Sequence, residues 1–191
     1  MMKELTLYKI RDMALKNNVS VYNVNEFANL IQKNNKVAIV YMNRLVRNNL
    51  ATKPVNGKIS FINDDFIMAS QLIYPSYIST NSALLFHKLA QQVPGKVECV
   101  TTINSINYNK LGISYHKIKP ELFFGYKRYN YNNSYIFVAN PDKAVFDGLY
   151  LNIFSENDIN EFKNNIDFSD LIRNLKNIEI RKIKKIMEIL K

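Results

Sequence analysis

Thr52-Lys53-Pro54-Val55-Asn56-Gly57-Lys58-Ile59-Ser60-Phe61 is written like a β-hairpin. Asn56-Gly57 is the preferred pair for a two-residue type I′ turn, since both residues tolerate positive φ. A loop of that length pairs Val55 with Lys58, Pro54 with Ile59, Lys53 with Ser60 and Thr52 with Phe61. Side chains alternate across a strand. Thr52, Pro54, Ile59 and Phe61 therefore share a face that can pack on a core, and Lys53, Val55, Lys58 and Ser60 share the other. Pro54 suits an edge strand, where its missing N–H is tolerated.

Upstream, three segments carry helical periodicity. Residues 3–16 place Leu7, Ile10 and Ala14 on one stripe. A second helix begins near Asn23, which can cap it, with Glu26 three residues later in the capping-box position. Its apolar face is Val24, Phe27, Leu30 and Ile31. After the Asn34-Asn35 turn, a third helix runs from about Lys36 to Asn48, with Ala38, Met42 and Leu45 inward and Tyr41 at the border. Two helices joined tightly, the second with a polar and basic outer face, give the helix-turn-helix order. A basic hairpin directly after them is a wing. Residues 1–62 thus read as a winged helix-turn-helix.

Charge agrees with that reading. The 191 residues hold 26 Lys+Arg and 16 Asp+Glu, a formal net charge of +10. Residues 1–62 carry ten basic and three acidic side chains, 63–170 nine and eleven, and 171–191 seven and two. A basic block apart from a near-neutral body points to a polyanion. Other classes recede. The longest hydrophobic run, Val37–Met42, is far short of the ~20 residues that span a bilayer, and the chain begins without a signal-peptide core. A membrane partner is therefore not expected. The single Cys99 fits a reducing cytoplasm. Two histidines and one cysteine cannot assemble the usual zinc site. No Gly-rich phosphate loop is present. No metal and no cofactor are expected.

Asn63-Asp64-Asp65 marks a domain boundary, and residues 66–191 read as a second, mixed α/β domain with a helical C-terminus. The fold class is α+β. Residues 81–91 look helical, and 96–103, 112–118, 121–126 and 134–139 look like strands from their Val, Ile, Tyr and Phe content. The Tyr126–Tyr135 cluster reads as strand–turn–strand about Asn132-Asn133, in preference to a stacking platform for single strands. Asn140-Pro141-Asp142 is a helix start. Further helices begin near Ser155 and Ser169. The last, about 178–190, buries Ile180, Ile183, Met187 and Leu190 and exposes Arg181, Lys182, Lys184 and Lys185.

Two segments of this domain carry a resemblance. Tyr74-Pro75-Ser76-Tyr77-Ile78-Ser79, followed by Ser82-Ala83-Leu84, resembles the start of the second domain of AbiEi-type regulators, the antitoxins of abortive-infection toxin–antitoxin systems. Ala139-Asn140-Pro141-Asp142-Lys143-Ala144-Val145-Phe146-Asp147 resembles that family's A-x-P-E-K-A-L-x-D segment, with Asp142 in place of Glu. The order of segments also agrees. The resemblance implies a DNA-binding N-terminal domain that represses its own operon through inverted repeats, with a homodimer on the double-stranded DNA as one arrangement. It also implies a C-terminal domain, 66–191, that counteracts a nucleotidyltransferase-like toxin. Tyr74, Pro75, Ser76, Tyr77, Ser79, Pro141, Asp142, Lys143 and Asp147 are the matched positions that would carry the regulatory role.

The residues themselves specify the DNA contacts more closely. Lys36, Asn43, Arg44 and Arg47 project opposite the buried side of the third helix. Arg reads guanine and Asn adenine, so Asn43, Arg44 and Arg47 suit base edges. Lys36, Lys53 and Lys58 suit phosphates. Catalysis is not expected. Asp142 and Asp147 are five apart on one helix and do not share a face. Asp142 is explained by the helix N-terminus, and Lys143, four residues before Asp147, offers it a local partner. His87 and His116 read as structural. The alternative is an enzyme acting on nucleic acid or a protein partner, with the winged helix as its targeting module. The chain lacks the Gly-Ser turn and close carboxylates that a nucleotidyltransferase needs. A winged helix used for protein contact fits the +7 block less well.

Overall fold

The computed structural model describes residues 5–91, 94–160, 162, 165–176, 178 and 180–190. The chain divides into two units, Met1–Tyr74 with Tyr129–Ile136, and Pro75–Arg128 with Phe137–Lys191. Its class is α+β, as expected. No helix among the described residues is long and apolar enough to cross a membrane.

In the first unit, α1 spans Leu7–Lys16, β1 Val21–Asn23, α2 Val24–Ile31, α3 Asn35–Arg47, β2 Lys58–Ser60 and α4 Asp65–Leu72. The start of α1 lies inside the expected 3–16 segment, because Thr6 caps it by accepting from Lys9 N–H. The capping box of Asn23 and Glu26 forms as read. Asn34 caps α3 by accepting from Val37 N–H. Ile10, Ala14, Phe27, Ala38, Leu45 and Ile59 are fully buried. Each larger apolar side chain among them contributes about 1.5–3 kcal/mol by leaving water. Tyr22, Phe27 and Phe61 add a ring cluster, with Phe27 stacked on Phe61 at 6.2 Å. The Tyr22 phenol donates to Ala14 C=O at 2.9 Å, and burial pushes its pKa up to about 12.

The expected hairpin is corrected in two respects. Lys58 N–H does close a turn on Val55 C=O. However, only Gly57 has positive φ, +75°, so the turn follows the type II pattern, not type I′. Thr52 pairs with Ser60, not Phe61. A type II turn does not supply the twist that keeps a two-residue hairpin in register. β2 pairs instead with β1, with Tyr22 opposite Ile59. Ile59 and Phe61 are buried as read, but Thr52 is exposed and Pro54 half-buried.

The boundary also moves. Asp64 accepts from Ile67 N–H and caps α4, so Asn63-Asp64-Asp65 starts a helix within the first unit. Residues 129–136 belong to this unit for a visible reason. Ser134 Oγ donates to Asn18 C=O at 2.7 Å and accepts from Ser20 Oγ and Gln71 Nε2 at 2.9 Å each. Gln71 Oε1 in turn accepts from Ser20 and Val21 N–H.

The remaining strands are β3 (Ser76–Ile78), β4 (Val97–Thr101), β5 (Ile106–Tyr108), β6 (Ile113–Lys117), β7 (Tyr126–Tyr131) and β8 (Ser134–Ala139). They form one sheet in the order β5-β6-β4-β3-β8-β7. β3 runs antiparallel to β4 and parallel to β8, with Ile78 opposite Val138. β4 and β6 are parallel, with Cys99 opposite Tyr115. Cys99 is fully buried, and that burial pushes its thiol well up, which makes it an inert core group. Asn132 and Asn133 both have positive φ, +44° and +60°, so the type I′ turn forms here. The expected strand at 121–126 is corrected. Pro120–Leu122 is a 3-10 turn, and Pro120 has no N–H to give a ladder.

The second unit's helices are α5 (Thr80–Phe86), α6 (Pro141–Tyr150), α7 (Glu156–Ile159), α8 (Ser169–Leu175) and α9 (Arg181–Leu190). α6 packs against both α5 and α9. α5 is shorter than the expected 81–91, since Lys88 turns left-handed at φ +61°. Gln92 and Val93, within that reading's flank, lie outside the described residues. In α9 the buried stripe is Ile183, Ile186 and Leu190; Met187 and Ile180 are only half-buried. Arg181, Lys182, Lys184 and Lys185 are exposed as read.

Candidate nucleic-acid interface

α3 buries Ala38, Met42 and Leu45 and turns the rest of its surface outward. Lys36, Asn43, Arg44 and Arg47 are all exposed. Between them stand Ile39 and Val40, 46% and 47% exposed. Positions 36, 39, 40, 43, 44 and 47 follow the i, i+3, i+4 rhythm of a single helix face. The Arg44 guanidinium lies 5.8 Å from the centre of the Tyr41 ring, which steadies its direction.

A cleft of about 140 Å³ runs between α3 and the 55–58 turn. Met42, Val46 and Ile59 contribute apolar surface, and Asn43, Lys53 and Lys58 are among its other lining residues. The two lysines are not equivalent. Lys53 is exposed. Lys58 is half-buried, its ammonium donates to Leu72 C=O, and burial lowers its pKa from the usual lysine value. The expectation that both emerge together on an outward face therefore holds for Lys53 alone. Lys58 is anchored to the unit's own backbone.

Ile39 and Val40 escape sequence reasoning. They belong to the hydrophobic run Val37–Met42, and a run in which core and surface residues are equally apolar hides the face they occupy. Strict phasing from Ala38, Met42 and Leu45 is the signal that would have found them.

In the second unit, residues from both family-like segments meet. Lys143 and Asp147 are fully buried and form an ion pair through Asp147 Oδ1. Asp147 Oδ2 accepts from Tyr77 OH at 3.0 Å and Ser79 Oγ at 2.7 Å. The Lys143 ammonium also faces the Tyr77, Phe124 and Phe146 rings at 5.6, 5.5 and 5.0 Å. Burial pushes Lys143 down, and Asp147 partly offsets that shift. Tyr77 stacks on Tyr126 at 4.6 Å. Its phenol is raised well above the usual value by burial and by Asp147 beside it. With no exposed atom among Lys143, Asp147 and Ser79, this network holds the segments together and offers a substrate no access.

The other matched residues are not part of its hydrogen bonds. Ser76 is buried in β3, Tyr74 is 76% exposed, and Pro75 C=O accepts from Thr101 Oγ1 at 2.7 Å. Pro141 is the first residue of α6. Asp142, in the first turn, has its pKa raised by burial, against the pull of its own and Lys143's N–H groups. His87 Nε2 lies 2.9 Å from Ala139 O, and His116 Nε2 lies 3.7 Å from Glu98. A larger cleft of about 870 Å³ lies among Asn81, Leu89, Ala90, Ile153, Phe154 and Asp158. None of the expected site residues lines it.

No family model and no curated protein matches the chain. Among solved structures, the RV2827C protein from Mycobacterium tuberculosis is similar in fold, with a TM-score of 0.55 and 12% identity. The match covers 96% of this chain and 75% of that one. At that identity the likeness extends to the fold alone.

Proposed function

We propose that the first unit is a winged helix-turn-helix that binds duplex DNA, and that the chain is a cytoplasmic transcriptional regulator of the AbiEi antitoxin type. The observation that carries the reading is the outward stripe of α3, where Lys36, Asn43, Arg44 and Arg47 stand together with no acidic residue in the helix. β2 and the turn before it lie beside α3, as a wing lies beside a recognition helix, and Lys53 borders the cleft between them. The second unit is assigned the antitoxic role, against a nucleotidyltransferase-like toxin. That assignment rests on the resemblance at Tyr74–Leu84 and Ala139–Asp147 and on the network joining them.

The test is a binding titration of the full chain against the DNA upstream of its own gene and against a shuffled duplex of equal length. Tighter binding to the upstream duplex supports the regulator. Equal binding to both removes it. For the toxin, suppression of growth arrest by co-expression with a neighbouring nucleotidyltransferase-like frame supports the antitoxin. Unrelieved arrest removes that half.

A further inference from the structure

Ile39 and Val40 are out of place on a solvated helix. An exposed mid-helix position favours Ala, Glu, Lys or Gln, and β-branched residues there have lower propensity. Yet both stand in the middle of the cationic and amide stripe, one turn before Asn43 and Arg44. Their χ1 angles are restricted within a helix, so little freedom remains to be lost on contact. Local departures of this kind gather at functional sites.

On the reading of α3 as a recognition helix, we infer that Ile39 and Val40 recognise the C5-methyl groups of thymine in the major groove of the bound duplex. Thymine is the base that presents an apolar group there, and aliphatic side chains are its complement. Recognition helices contact base edges through their N-terminal residues. Ile39 and Val40 are the fifth and sixth residues of α3, whereas Arg47 is its last. Asn43 lies one turn further, about 5.4 Å along the axis. That places an adenine read by Asn43 within roughly two base-pair steps of the thymine, at about 3.4 Å per step. Ile39 and Asn43 also border the same cleft. The pair of aliphatic residues is flanked by Lys36, Arg44 and Arg47, surroundings that suit a polyanion carrying small apolar groups better than an apolar protein surface.

The probe is a 20-base-pair duplex enriched by the full chain from a random library, with each thymine replaced in turn by deoxyuridine. This removes one methyl and keeps base pairing. Wild type is expected to lose about three- to fivefold in affinity at one or two thymines, the effect of a methyl group leaving apolar contact. Ile39→Ala and Val40→Ala, with unchanged Tm, should bind the thymine duplex more weakly and no longer distinguish uracil at those positions. The inference is overturned by an enriched site without thymine, by deoxyuridine substitution with no effect, or by equal discrimination in the variants. Failure to enrich any sequence overturns the DNA-binding reading itself. Should Ile39→Ala unfold the chain, Ile39→Val and Val40→Thr put the same question, with reduced discrimination expected.

Discussion

Lys143 and Asp147 sit one turn apart on α6, paired and wholly shut off from solvent, and the second carboxylate oxygen of Asp147 is held by Tyr77 and Ser79. The pair ties α6 to β3 and to the residue that precedes α5. An ion pair buried this deeply contributes little net stability compared with apolar residues of the same shape, but losing one partner is costly.

Asp147→Asn should therefore lower stability by about 3–5 kcal/mol, since it strands the Lys143 ammonium. For a chain of this length that is a fall of roughly 6–20 °C in Tm. Adding Lys143→Met should recover much of the loss, because no charge is left buried. Differential scanning calorimetry of the two single variants and the double variant measures the coupling. Additive losses would show that the two groups act independently.

Gly125 faces the same lysine. Its φ is +73°, and a Cβ there would lie 3.0–3.2 Å from Cγ, Cβ and Cδ of Lys143. Gly112 has a similar φ, +62°, with only Gly95 O at 3.9 Å. Left-handed backbone alone costs an L-residue about 1–2 kcal/mol. Gly125→Ala should lower Tm by more than Gly112→Ala, and the difference isolates crowding against Lys143.

Glu98 gives a pH dependence with a defined sign. Burial raises its pKa, but the His116 imidazole and the Thr80 hydroxyl more than offset that, so the carboxyl ends below the usual value. The unfolded state then binds more protons between the folded and unfolded pKa values, and stability rises with pH across that window. The contribution is present above about pH 4.3, the ordinary glutamate value, and is lost as pH falls through the folded pKa. Wild type should have a higher Tm than Glu98→Gln at pH 7, and the gap should narrow below about pH 4. A gap independent of pH would contradict the assignment.

Lys53 and Lys58 should part company. Lys53→Ala should weaken binding to all duplexes and reduce the salt slope by about 1, with Tm unchanged. Lys58→Ala should lower Tm, because it removes the donor to Leu72 C=O. Thermal melts and salt titrations of both variants distinguish phosphate contact from internal anchoring.

Much of this was legible wherever the local chemistry was self-sufficient. The cap at Asn23 with Glu26, the helix start at Ser155, the Asn132-Asn133 turn, the strand at 134–139 and the Lys143–Asp147 pairing depend on neighbours in sequence. The short strands β1, β3 and β5 were not legible, because three residues carry no period and each is defined by a distant partner. α4 was hidden because it is apolar on nearly all sides and its capping Asp64 read as a domain boundary. The meeting of Tyr77 and Ser79 with Asp147 spans about 70 residues, and periodicity does not report it.

The measurement that bears most directly on the central proposal is the affinity of the full chain for its upstream duplex as a function of salt. If Lys36, Lys53 and the α3 arginines meet the DNA and about four to six phosphates are neutralised per subunit, log K against log salt should fall with a slope of roughly −4 to −5. Arg47→Ala should reduce the preference for upstream over shuffled duplex by roughly 1–3 kcal/mol, and an unchanged preference would show that the assigned recognition face is wrong. A slope near zero, with the same affinity for both duplexes, would contradict DNA binding through this face.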